Sequence, residues 1–136
     1  MGRFLAIDFG EKRVGLALSD PTKIIAKPFK SITYTDHDDL LNQISLIIEE
    51  KNVEKIILGF PKGLKGENTA QTKKVMLFFN LIKNKSIIPI VLQDERFSSV
   101  SAKKSLILQN IKTGHNKGLI DETAAAIFLQ LYLDRK

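Results

Sequence analysis

Cysteine is absent from the 136-residue sequence, which excludes disulfides and thiolate metal sites and fits a reducing compartment. Histidine is almost as scarce, and His37 and His115 are too far apart to form a metal-ligand motif, so both read as surface residues. No apolar run approaches the ~20 residues needed to span a bilayer, and no basic-then-apolar leader opens the chain. The expectation is a cytoplasmic protein with no membrane partner. Repeats, low-complexity tracts and linkers are missing too, which points to a single domain over residues 1–136. Gly59, Gly63 and Gly66 are not followed by the Gly-Lys-Ser/Thr of a phosphate loop. There is no Gly-x-Ser-x-Gly elbow and no His-Glu-x-x-His helix. What is present is positive charge: 21 basic against 15 acidic side chains leave a net +6. That excess suits a polyanionic partner, because lysines near phosphates release condensed counterions, and it equally suits a solvated surface.

Apolar periodicity supplies the elements. Phe4 to Phe9 and Val14 to Leu18 flank a polar break at Gly10 to Arg13, the pattern of two antiparallel strands and a tight hairpin. Ile24 to Ile32, interrupted by Pro28, reads as a third strand at the edge, because proline cannot donate to a ladder. Asp36, Asp38 and Asp39 open a helix whose stripe is Leu40, Leu41, Ile44, Ile47 and Ile48, ending at Asn52. Lys55 to Gly59 is a buried parallel strand. A helix capped near Asn68 follows, with Val75, Phe78, Phe79 and Ile82 facing inward, and then a strand over Ile87 to Gln93. Ser98 or Ser99 caps a further helix. Asn110 to Gly118 reads as an exposed, mobile loop, and a last helix runs from near Ile120 to Tyr132 with Ala124, Ile127, Phe128 and Leu131 buried. The fold class is α/β: a mixed five-stranded sheet, three antiparallel strands then two parallel ones, with helices on both faces.

Asp8 stands out. A carboxylate closing an apolar strand must reach solvent at the strand tip or find a cationic partner. The first, fourth and fifth strands run parallel in this topology, so their tips share one rim: Asp8, the Gly59-Phe60-Pro61 loop and Asp94-Glu95. The last helix adds Asp121 from its first turn. Alternation along a strand allows at most one of Asp94 and Glu95 to share a face with Asp8, and the sequence leaves open which. Carboxylates gathered at one rim repel unless cations intervene, and Mg²⁺ or Mn²⁺ does this with oxygen ligands. Two such ions can hold the attacking and leaving oxygens of a phosphodiester displacement. Around this acidic hole Lys12, Arg13, Lys62, Lys65, Arg96, Ser98 and Lys117 are candidate nucleic-acid contacts. Each residue also has a plain structural explanation: Asp8 as a hairpin cap, Asp121 and Glu122 as acids near a helix N-terminus, Arg96 as the ion-pair partner of Glu95, the serines as caps and the lysines as solvated surface.

Four blocks together resemble the YqgF family, also called RuvX, of the RNase H-like superfamily. They are Ile7-Asp8-Phe9-Gly10 through Gly15-Leu16-Ala17-Leu18-Ser19-Asp20; Gly59-Phe60-Pro61 with Gly66; Asp94-Glu95-Arg96-Phe97-Ser98-Ser99; and Lys117-Gly118-Leu119-Ile120-Asp121 with Ala124-Ala125. The resemblance implies an RNase H-like fold and a metal-dependent nuclease that processes the 5′ end of pre-16S ribosomal RNA or, alternatively, resolves Holliday junctions. Carried over, Asp8, Glu95 and Asp121 are the catalytic metal ligands, with Asp94 in reserve, and the cofactor is two Mg²⁺ or Mn²⁺ ions. The family commonly has Thr-Thr after its Asp-Glu-Arg motif and Leu between Gly and Pro. Ser98-Ser99 keep the hydroxyls here and Phe60 changes bulk. A resolvase acting symmetrically would need a homodimer. Two other classes compete: a noncatalytic RNA-binding assembly module, and an actin-like or sugar-kinase nucleotide-binding domain, whose first phosphate loop also resembles Ile-Asp-Phe-Gly.

Overall fold

Three antiparallel strands open the chain: β1 (Arg3–Phe9), β2 (Arg13–Ser19) and β3 (Ala26–Thr33). The structure, a computed structural model, describes residues 2–9, 13–60, 70–85, 88–94 and 117–134. In order there follow α1 (His37–Lys51), β4 (Val53–Phe60), α2 (Ala70–Lys85), β5 (Ile90–Asp94) and α3 (Lys117–Leu133). The sheet order is β3-β2-β1-β4-β5, with β4 parallel to both β1 and β5. This is the mixed sheet expected from the sequence, with helices on both faces. The helix expected after Ser98 or Ser99 and the cap expected at Asn68 lie outside the described residues.

Two apolar layers sandwich the sheet. On one face Leu5, Ile7, Leu16, Ile56 and Leu58 meet Leu40, Ile44 and Ile47 of α1 and Val75, Phe78 and Ile82 of α2. On the other, Ala6, Ala17 and Ile57 meet Ala125, Phe128 and Leu129 of α3. Small side chains on both sides of this second layer let the helix approach the sheet closely. Central β1 is therefore covered twice, and that is why its sequence is an almost unbroken apolar run.

Local chemistry sets the element ends. Asp36 caps α1 by accepting the Asp39 N–H at 2.8 Å, while Asp39 accepts the Thr35 N–H at 2.9 Å. Asn52 ends the helix with φ 53°, a left-handed conformation that asparagine tolerates, and its carbonyl accepts the Arg3 N–H at 3.0 Å to start β1. In β3, Leu16 pairs with Lys30 and Ala17 with Pro28, leaving Phe29 as the extra residue of a bulge. The proline thus sits on an edge strand and at a bulge, the two places where a missing donor is tolerated.

Several boundaries differ from the sequence reading. The third strand starts at Ala26, not Ile24, because the Asp20 carboxylate captures the N–H groups of Ile24 and Ile25, each at 2.8 Å, in a turn. The last strand starts at Ile90, after Pro89, rather than at Ile87. The last helix starts at Lys117, so Lys117 and Gly118 belong to it and not to a loop, and Asp121 stands one turn in. Its buried stripe also shifts: Ala124 and Phe128 are buried, but Ile127 is half-buried and Leu131 is 52% exposed, while Ala125, Leu129 and Leu133 face inward. His37 is not a free surface residue; it is half-buried, with its ring edge-on to Phe78 at 5.9 Å.

Candidate active site

Strand register builds the site. Asp8 pairs with Gly15, and Gly15 with Ser31; on the other side Ile7 pairs with Leu58, so Asp8 comes level with Gly59, which pairs with Gln93. One row, Ser31-Gly15-Asp8-Gly59-Gln93, thus crosses all five strands at the end where β1, β4 and β5 finish. The neighbouring row on the same side, Ala6 and Ile57 two positions earlier on their strands and Ala17 two positions later on antiparallel β2, contacts α3. Alternation puts the Asp8 row on that same face. An independent contact agrees: the Ser31 hydroxyl donates to Glu122 Oε2 of α3 at 3.0 Å.

Asp8 is only 3% exposed, which rules out the first of the two settings open to its carboxylate, bulk solvent at the strand tip. α3 runs over this face of the sheet. Near its start Glu122 reaches Ser31; near its end Gln130 accepts the Ala26 N–H at 2.8 Å, and the Tyr132 ring meets Phe4 at 6.0 Å. The helix therefore begins at the Asp8 end of the sheet. Glycine on both flanks of Asp8, at positions 15 and 59, means that no side chain stands beside it in the row. Backbone alone therefore flanks the buried carboxylate within the row, and a carboxylate is an oxygen donor that suits a hard cation.

Register also separates the two acids of β5. Gln93 is level with Gly59 and Asp8, and position 94 pairs with Phe60 one step farther on, at the opposite parity. Strand position 94 is out of phase with Asp8. Glu95 lies outside the described residues. Position 121 precedes Ala125 by four residues and Phe128 by seven, which places it on the stripe of α3 that faces the sheet. Among the described residues no three His, Cys, Asp or Glu side chains are grouped to hold a metal ion. Of the three carboxylates expected to do so, only that of Asp8 belongs to a described side chain.

The expected nucleic-acid contacts divide in the same way. Arg13 opens β2, half-buried, and pairs with Thr33 at the rim next to the Asp8 row. Lys117 is the first residue of α3. Lys12, Lys62, Lys65, Arg96 and Ser98 lie outside the described residues. Ser31, Glu122 and Gln93 join the row without having been singled out as a group. For Ser31 and Glu122, 91 residues apart, no local sequence pattern announces the contact. The two glycines did carry a signal, because each interrupts an apolar strand, where a missing side chain marks close approach.

Comparison with known proteins agrees with this architecture. A family model described as RuvX, Holliday junction resolvase, matches residues 2–135. A relative from Dictyoglomus turgidum, named "Putative pre-16S rRNA nuclease", is 42% identical over 97% of this chain and 94% of its own length. One from Desulforamulus reducens with the same name is 39% identical over 97% of this chain and 96% of its own length. Among solved structures, the Fowlpox virus resolvase in complex with Holliday junction DNA superimposes with a TM-score of 0.58 at 14% identity, covering 97% of each chain. RuvC from T. thermophilus, in complex with a Holliday junction substrate, gives 0.56 at 12% identity over 98% of this chain and 94% of its own. At such identities these two establish the fold, which is RNase H-like. The match along nearly the whole sequence, with relatives at 39–42% identity, shows that the chain belongs to the RuvX (YqgF) family.

Proposed function

We propose that this chain is a divalent-metal-dependent nuclease that hydrolyses phosphodiester bonds at the Asp8 end of its sheet. Its substrate is the precursor of 16S rRNA, cut at the 5′ end during ribosome biogenesis in the cytoplasm, by a single domain over residues 1–136. The observation that carries this reading is the burial of Asp8 in a row where glycine stands on either side. The names of the relatives support the substrate. Among the described residues no helix is long and apolar enough to cross a membrane.

Asp8, Glu95 and Asp121 would hold Mg²⁺ or Mn²⁺, two ions in the full site. If the alternation of β5 were to continue past position 94, position 95 would fall in phase with Asp8, and this supports Glu95 over Asp94. When bound, the ions supply Lewis-acid charge at the scissile phosphate and lower the pKa of a water nucleophile. The chain itself fixes the donors: Asp8 from the central strand, Asp121 from a helix packed across it. Arg13 at the rim, with Lys12, Lys62, Lys65, Arg96, Ser98 and Lys117, would hold the flanking phosphates.

The second reading is a Holliday junction resolvase, favoured by the description of the matching family and by the two junction-bound resolvase structures of the same fold. It would need a homodimer to cut symmetrically. The test is cleavage of a precursor rRNA leader and a four-way DNA junction side by side, with Mg²⁺ or Mn²⁺ and with Asp8→Asn as control. Metal-dependent cleavage of the RNA, lost in the variant, is expected. Cleavage of the junction alone favours the resolvase. Binding of RNA without cleavage, unchanged by Asp8→Asn, favours a noncatalytic module.

A further inference from the structure

A cleft of about 300 Å³ lies at the end of the sheet remote from Asp8, walled by Arg3, Leu18, Asp20, Lys27, Pro28 and Phe29. It is separated from the catalytic row in two ways. Arg3 precedes Asp8 by five positions on β1, roughly 16 Å along a strand. Leu18 and Phe29 belong to the apolar layer under α1 and α2, on the face opposite Asp8.

The cations here are held without being neutralised. Lys30 Nζ sits 5.3 Å and Lys51 Nζ 5.5 Å from the centroid of the Phe29 ring. A ring face orients an ammonium group but, unlike a carboxylate, leaves its charge intact. Arg3 donates at 3.0 Å to the Ser19 carbonyl, again not to an acid. Among the described residues the salt bridges are Lys23 with Glu54 and Lys85 with Asp38, so none involves Arg3, Lys27, Lys30 or Lys51. One acid lines the cleft. The Asp20 carboxylate is engaged by the N–H groups of Thr22, Ile24 and Ile25, and it stands against two cations of the lining, Arg3 and Lys27, with Lys30 and Lys51 beside the Phe29 ring that lines the cleft. The remaining charge surrounds the apolar side chains of Leu18 and Phe29, which share the face opposite Asp8, beside Ile25, which is 52% exposed. Unpaired cations around apolar side chains match the chemistry of a single-stranded polynucleotide, whose phosphates and bases alternate.

We infer that this cleft is a second binding site for single-stranded nucleic acid, which anchors the strand away from the Asp8 row. The inference rests on the reading of the chain as a nuclease. Phosphates contact Lys27, Lys51 and Arg3, and a base or ribose covers Leu18 and the Phe29 ring. The bulge at Phe29 makes the site, because it turns the extra ring toward the two lysines.

The test uses the full chain with EDTA, so that no cleavage intervenes, and labelled oligo(U) as the probe. The double variant Lys27→Gln/Lys51→Gln is expected to bind roughly tenfold more weakly at low salt, with the slope of log K against log [salt] shallower by about 0.7 for each lysine that meets a phosphate. Circular dichroism and melting check that the variant folds; should it not, Lys27→Arg/Lys51→Arg in its place must retain both affinity and slope. Photocrosslinking with 5-bromouridine is expected to mark the peptide containing residues 27–30. Wild-type affinity and slope in the folded double variant, or crosslinks confined to other peptides, overturn the inference while leaving the nuclease reading in place. Failure of the wild type to bind oligo(U) at all overturns both. Loss of polyglutamate binding with oligo(U) binding intact reassigns the cleft to an acidic protein segment and overturns it as well.

Discussion

A carboxylate placed inside a sheet costs several kcal/mol unless other groups stabilise its charge, which makes Asp8 the residue whose presence most needs a reason. Divalent-cation binding supplies one. Mn²⁺ or Mg²⁺ at about a hundred times its dissociation constant should stabilise the wild type by about 2.7 kcal/mol, because a ligand bound only by the native state shifts the folding equilibrium. Asp8→Asn should show almost none of that gain in thermal melting. Equal shifts in the two proteins would remove Asp8 from the metal site. Asp20 offers a second test at this scale. Hydrogen bonds, the largest from the Ile25 N–H and then from the Thr22 hydroxyl, hold its carboxyl well below the ordinary 3.8. A depressed folded pKa gives stability that is present above the unfolded value and lost as pH falls through the folded one. Wild type should therefore be more stable than Asp20→Asn at neutral pH, and the difference should shrink steadily as pH drops below 3.8. A pH-independent difference in urea unfolding would contradict this. Asp8 was legible in the sequence because a lone acid broke an apolar run. The same turn hid Ile24 and Ile25, whose β-branched side chains look like strand but whose N–H groups go to Asp20.

Among the elements, α3 was the hardest to orient from sequence. Its central part is apolar on every side, so a stripe drawn at helical spacing can be rotated with little penalty, and Leu131 was placed inward when it points out. Contact with the sheet decides the rotation: Ala125, Phe128 and Leu129 lie against Ala6, Ala17 and Ile57. Phe128→Ala should cost about 3–5 kcal/mol through lost burial and a cavity, whereas Leu131→Ala should stay within about 0.5 kcal/mol. Denaturant unfolding of the two variants distinguishes the observed rotation from the one drawn from periodicity, which would make both costly. α1 was far easier to read. Leu40, Ile44 and Ile47 share one buried face while Leu46 is exposed, acids crowd its start, and asparagine closes it, so pattern and caps agree. The rotation of α3 matters for function because the stripe through Ala125 and Phe128 extends back to position 121.

At the scale of the molecule, strand order and direction were legible because alternating helix and strand patterns after a hairpin leave few topologies. That order alone brings β1, β4 and β5 to one rim. The choice of face was not legible. Whether position 94 or 95 is in phase with Asp8 depends on the pairing of Gly59 with Gln93 across strands more than thirty residues apart, which no local pattern encodes. The whole account comes down to donors from β1, the chain after β5, and α3 meeting at one rim. Anomalous scattering from crystals of the wild type and of Asp8→Asn, both soaked in Mn²⁺, tests this most directly. The account predicts Mn²⁺ ligated by Asp8, Glu95 and Asp121 in the wild type and a lost or much weakened peak in the variant. Saturating Mn²⁺ with no peak at Asp8, or with Asp94 as a ligand in place of Glu95, would contradict it.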